Sequence, residues 1–145
     1  MREIKFRGSG IRGPKGCMIY GDLRNSQGDF YIYPIDSRSA YEVKPETIGQ
    51  YTGLKDKNGK EIYEGDILRG NEYPFNCDGV DNYYAEIVWA DNVCGFYRIT
   101  HKKPNSTVRG ISCGNWSQLD EEDMESFEVI GNIHDNPELI KREEK

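Results

Sequence analysis

The sequence predicts an α+β protein dominated by β structure: a small curled antiparallel sheet or SH3-like barrel, with N-terminal strands packed on it and a short C-terminal helix. Three observations carry this expectation. Short segments of alternating apolar and polar residues recur along the 145-residue chain, separated by Gly, Asn, Asp and Pro turn signals. Asn58-Gly59 is a strong short-range hairpin signal, because both residues suit the positive φ angles of a type I′ turn. Ten Tyr, five Phe and two Trp add buried area to a chain whose hydrophobic fraction is only 36%.

Taken in order, "REIKFRG" alternates apolar and charged residues around Ile4 and Phe6, as a half-buried strand does. Gly8 to Gly16, "GSGIRGPKG", reads as a loop. "CMIYGDL" and "DFYIYPI" read as two strands joined by the polar "RNSQG", with Pro34 marking a strand end or an edge. Pro45-Glu46-Thr47 can open one helical turn, which Gly49 and the β-branched residues keep short. In "KEIYEGDIL", Gly65 predicts a bend that redirects the strand. Residues 71–82 form a polar loop, and "YYAEIVWADNVCGFYRIT" is a pair of strands turning near Asp91-Asn92.

A weak strand is expected around Val108 to Ile111, an acidic turn or single helical turn in "LDEEDMES", and a last strand in "FEVIGNI". "DNPELIKREEK" predicts a C-terminal helix with Asn136 as N-cap and Pro137 at its first position. Residues 1–47 are expected to form an N-terminal β-rich lobe. Residues 48–145 are expected to form a barrel-like lobe with the C-terminal helix, the two able to share one core.

Charge is uneven along the chain. Residues 1–60 hold 11 Lys/Arg against 7 Asp/Glu, a balance of +4, and residues 61–145 hold 8 against 18, a balance of −10. The acidic part would repel a phosphate backbone, so nucleic acid is a disfavoured partner. Cys17, Cys77, Cys94 and Cys113 form no C-x-x-C pair, and no long apolar run marks a signal peptide or membrane span. A cytoplasmic protein with reduced thiols and no membrane partner is the expectation.

Each candidate site stands beside a plainer reading. Glu61, Glu64 and Asp66 follow a turn that superficially looks like a calcium loop. Gly59 comes two places too early for an EF-hand, however, and Lys55, Lys57 and Lys60 would repel the cation. Hairpin and solvated charges are the better reading. Cys94, His101 and Cys113 match no standard metal spacing. Arg7, Arg12 and Lys15 frame a glycine-rich segment that could hold an anion or a nucleic acid, with Phe6 and Tyr20 near enough to stack. Lys15 is followed by Gly16 rather than Ser or Thr, so no P-loop is present, and a basic loop outweighs a phosphate site. His101 and His134 have no nucleophile context; exposure is expected for the first and a turn role for the second. Trp89 and Trp116 read as core or rim residues. Asp120, Glu121, Glu122, Asp123 and Glu125 surround Met124 and could dock on a basic partner, although a solvated loop is the commoner use of such a run. No catalytic residue, metal ligand or cofactor is assigned.

The segment "ETIGQYTGLKDKNGKEIYEGDIL" closely resembles the signature of the YopX family of small phage and prophage proteins. "MREIKFRG", "YGDL" at Tyr20 to Leu23 and "FEVIGNIHDNPELI" fit in the same order. Departures are the glycine-rich insert before Cys17, the long loop after Arg69, and His134 in place of an aromatic residue. The resemblance implies a phage or prophage origin, a bacterial cytoplasm and a β-rich fold, with no enzymatic activity to carry over. The "GD-I-L" strand after the hairpin also begins much as small SH3-like barrels do. The function expected first is therefore a non-catalytic accessory protein that binds a phage or host protein. A weak nucleic-acid-binding module using the basic N-terminal half comes second and an enzyme third. Self-association through edge strands and tyrosines is a further option.

Overall fold

The computed structural model describes residues 3–12, 17–35, 37–73, 75–104 and 116–140. It is mainly β and divides into two compact units, Met1–Gly53 and Leu54–Lys145.

In the first unit, β1 (Phe6–Ser9), β2 (Met18–Ser26), β3 (Asp29–Tyr33), β4 (Tyr41–Val43) and β5 (Gly49–Lys55, which crosses the division) lie in the order β4-β3-β2-β1-β5. A single 3-10 turn at Pro45–Thr47 precedes β5, as the proline predicts. Every named pairing is antiparallel. The sheet curls strongly. Gly10 bridges to Val43, the Ile11 N–H donates to the Glu42 carbonyl at 3.0 Å, and the Lys44 N–H donates to the Ser9 carbonyl at 2.9 Å. Gly8 and Ser9 are thus strand rather than loop. Glycine is needed at position 8 because a Cβ there would meet Val43 Cβ at 3.0 Å and Ile32 Cδ1 at 3.3 Å. Among the described residues of this unit, Ile32, Val43 and Tyr51 are the buried apolar ones. The β2–β3 turn is Gln27-Gly28, with φ of 54° and 87°, which is the type I′ pattern.

The second unit contains β6 (Glu61–Tyr63), β7 (Asp66–Gly70), β8 (Asn76–Cys77), β9 (Val80–Asp81), β10 (Tyr83–Ala90), β11 (Gly95–Lys102), β12 (Trp116–Gln118), the single helical turn α1 (Glu121–Met124) and β13 (Phe127–Asn132). Five strands form a sheet in the order β12-β11-β10-β7-β13, and β8-β9 is a separate hairpin. Its core comprises Ile62, Leu68, Phe75, Tyr83, Ala85, Ile87, Met124 and Phe127. Strand periodicity explains the membership. Tyr83, Ala85 and Ile87 alternate along β10, and Leu68 pairs with Ala85 and with Val129, which packs on the cluster.

Several further expectations are corrected. The antiparallel sheets do not close into an SH3-like barrel. Gly65 turns the chain at φ 93°, and a bulge sits between Val129 and Gly131, so the strands bend without a continuous ladder around the unit. Where the C-terminal helix is expected, the described residues hold one 3-10 turn, Pro137–Leu139. Asn136 makes no forward cap; its Oδ1 accepts from the Asn132 N–H at 3.3 Å, pulling the segment back onto β13. Finally, Asn58-Gly59 is not a type I′ turn, since only Gly59 takes positive φ, at 82°. The Gly59 N–H donates to the Asp56 carbonyl at 3.0 Å, and the Asp56 N–H donates to the Lys60 carbonyl at 2.8 Å. This is the three-residue hairpin loop with glycine in the left-handed position. The polar stretch 71–82 also holds structure, β8 and β9 around an Asp78-Gly79 type I′ turn. The strand expected at Val108 to Ile111 lies outside the described residues.

Candidate functional site

The glycine-rich hairpin segment from Gly49 to Leu68 is built as scaffold. Asp56 is 7% exposed, and its Oδ1 accepts the Asn58 and Lys60 N–H groups, each at 2.9 Å. Its Oδ2 accepts the Val129 N–H at 2.9 Å, so one carboxylate shapes the turn and ties it to β13. Asp66 is 1% exposed and accepts the Tyr63 N–H at 2.8 Å, closing the Glu64-Gly65 turn. Both carboxylates are occupied by backbone donors, which accounts for acidic residues there without a cation.

The larger polar constellation lies on the face of the five-stranded sheet opposite the core cluster. Register aligns Glu128 on β13, Arg69 on β7, Tyr84 on β10 and His101 on β11 in one cross-strand row. Arg69 Nε donates to Asp81 at 2.9 and 2.8 Å, and its Nη1 donates to Glu128 Oε1 at 3.0 Å and Asn71 Oδ1 at 3.3 Å. Asn76 Nδ2 donates to Asp81 Oδ1 at 2.9 Å, and Asn58 Nδ2 to Glu128 Oε2 at 3.3 Å. His101 Nε2 is 2.9 Å from Glu86 Oε1, an ion pair when the imidazole is protonated. The Asp81 and Glu128 carboxylates raise the Arg69 pKa, chiefly through the hydrogen bond to Asp81. Tyr84 is pushed above its ordinary 10.0 by burial first and by Asp81 second, with Arg69 opposing. Chemically, the row holds a protonated phenol beside a guanidinium that clasps two carboxylates from β9 and β13. It fastens strands together and presents Glu86 with His101 as a pair able to hold a proton.

Sequence reasoning missed this row, because its members come from four strands between residues 69 and 128. The available signal was the polar or polar-tipped residue at alternate positions of each strand: Arg69, Tyr84 with Glu86, His101 and Glu128. His101 is accordingly half-buried and paired rather than freely exposed. The His134 N–H donates to Asn132 Oδ1 at 2.9 Å in the turn after β13, which leads into the 3-10 turn Pro137–Leu139.

The predicted anion contacts are not gathered into one patch. Arg7 is 4% exposed within β1, whereas Arg12 is exposed beside a cleft it shares with Tyr31, Ala40, Tyr41 and Glu42. Lys15 lies outside the described residues. In the acidic segment, Asp120, Glu121, Glu122 and Glu125 are exposed around α1, Met124 is buried in the core, and the Asp123 side chain lies outside the described residues. Cys17, Cys77 and Cys94 are exposed free thiols, and Cys113 lies outside the described residues. Among the described residues no group of three or more His, Cys, Asp or Glu is placed to hold a metal ion, and no helix is long and apolar enough to cross a membrane.

Comparison with known proteins gives a match to the family model described as YopX protein over residues 18–141. No curated protein matches the chain. The crystal structure of protein EF1440 from Enterococcus faecalis is similar over 97% of this chain and 100% of its own, at 26% identity and a TM-score of 0.45.

Proposed function

The chain belongs to the YopX family, and from that premise we propose that it is a phage or prophage accessory protein. It acts in the bacterial cytoplasm by binding another protein, without catalysis. One observation carries the protein-binding reading. The exposed carboxylates of Asp120, Glu121, Glu122 and Glu125 surround Met124, which is 1% exposed and packed with Phe127 and Ile62 in the core. A buried anchor makes this a fixed display of negative charge, and clustered like charges favour a partner surface of opposite sign. The alternative nucleic-acid reading depends on Arg7, Arg12 and Lys15 acting together, and the burial of Arg7 weighs against it.

The test is affinity capture of the tagged full chain from its bacterial host, with and without nuclease, beside a D120N/E121Q/E122Q/E125Q variant. One stoichiometric protein partner is expected to survive nuclease and to be lost from the variant, while the variant's thermal midpoint stays unchanged. Capture that disappears on nuclease treatment, or that ignores the substitutions, overturns the reading.

A further inference from the structure

The open cleft beside Arg12 in the first unit has a volume of about 380 Å³, within the range of small-ligand sites. Three different chemistries meet there. Tyr31 on β3 and Glu42 on β4 are direct cross-strand partners, so their side chains leave the same face of the sheet about 5 Å apart at Cβ. Arg12 approaches from the other side. Its position is set by the backbone, because the preceding Ile11 N–H donates to the Glu42 carbonyl at 3.0 Å, next to the Gly10–Val43 bridge. Tyr41, 49% exposed, completes the wall. Arg12 itself is exposed, and among the described residues neither Arg12 nor Glu42 has an ion-pair partner.

Each group restricts what can enter. A half-exposed tyrosine ring offers a stacking face to a planar heterocycle. An arginine is suited to the oxygens of a phosphate, which it meets with charge-assisted hydrogen bonds. An ionised glutamate only accepts hydrogen bonds, so the ligand edge beside Tyr31 must donate. Its charge also opposes a polyphosphate. Guanine satisfies the carboxylate with two adjacent donors, its N1–H and its N2 amino group, one for each oxygen. Adenine instead places an acceptor, N1, beside its amino group.

We propose that this cleft binds a guanine mononucleotide, with the base stacked on Tyr31, its N1–H and N2 amino group donating to the Glu42 carboxylate, and its phosphate on Arg12. A guanine within single-stranded nucleic acid carries the same groups. The free mononucleotide is favoured because one arginine serves one phosphate, whereas a strand needs a basic groove along its backbone.

The test titrates the full chain with GMP, AMP, inorganic phosphate and a short guanine-containing single-stranded oligonucleotide, by calorimetry and backbone amide NMR. GMP is expected to bind about tenfold or more tightly than AMP, as a good bidentate pair discriminates between bases, with shifts centred on residues 12, 31 and 42. The E42Q variant should erase that preference, and R12E should weaken GMP about tenfold or more by placing a carboxylate where the phosphate sits. Both substitutions change surface groups, and thermal midpoints will verify that the fold is kept. Equal affinity for GMP and AMP overturns the proposal, as does phosphate binding as well as GMP, shifts elsewhere, or no binding at millimolar GMP. An oligonucleotide that binds more than about a hundredfold tighter than GMP assigns the cleft to nucleic acid and overturns it too.

Discussion

At the residue scale, Asp56 shows how one side chain can determine both a turn and a long-range contact. It accepts three backbone N–H groups, two inside its own hairpin and one from Val129. Hydrogen bonds to a charged acceptor contribute more than neutral ones, and removing the carboxylate strands buried donors. D56A should therefore cost about 3 kcal/mol. D56N, which keeps one oxygen, should cost less, and urea unfolding followed by tryptophan fluorescence will separate them. The local half of this role was legible in "DKNGK", where Asp before Asn-Gly is turn chemistry. The Val129 bond was not, because 73 residues separate donor from acceptor and strand order fixes their meeting.

At the scale of elements, glycines mark where strands turn and where they approach, and the two uses have different costs. Gly59 sits at φ 82° with nothing within 4 Å of where a Cβ would stand, so G59A meets only backbone strain, about 1 to 2 kcal/mol. At Gly21 a Cβ would be driven into the Tyr33 carbonyl oxygen and would lie 2.9 Å from Pro34 Cα. Since backbone cannot step aside as a flexible side chain can, G21A should cost about 4 kcal/mol or more. Parallel chemical denaturation of the two variants checks the order. Strands β2, β3, β10, β11 and β13 were legible from alternation, and the turns from Gly, Asn and Asp. The turn types were only partly so. Gln27-Gly28 and Asp78-Gly79 adopt the type I′ geometry expected of Asn58-Gly59, because a third loop residue lets the latter hairpin use a single left-handed glycine. The C-terminal segment misled because Asn136-Pro137 is a good helix start, yet the Asn136 side chain is engaged by β13. The polar row was illegible for a related reason: Glu128, Arg69, Tyr84 and His101 become neighbours only through the strand order β13-β7-β10-β11.

For the whole molecule, the raised pKa of Tyr84 couples stability to alkaline pH. In the unfolded chain the phenol ionises from about pH 10, while in the folded chain burial and Asp81 keep it protonated. The folded state then binds more protons, so stability falls as pH rises. The contribution is complete below the unfolded value and is lost as pH climbs from there through the folded one. Urea midpoints between about pH 8 and 11 should fall for the parent chain, and Y84F, which has no ionisable phenol, should flatten that decline.

The hairpin after Arg69 has a consequence for how this chain could have changed length. Phe75 from it packs edge-on against Phe127, with centroids 4.9 Å apart at 79°. The Arg98 guanidinium lies over both rings, at 5.5 and 5.2 Å from their centres. Gly70 leaves room for this stack, since a Cβ there would lie 2.9 Å from Phe127 Cε1 and from Phe75 Cβ. The segment is masonry rather than ornament. Descendants can lengthen or redecorate its tip at Asp78-Gly79 freely, but none can shed it without finding another ring to stand in the foundation.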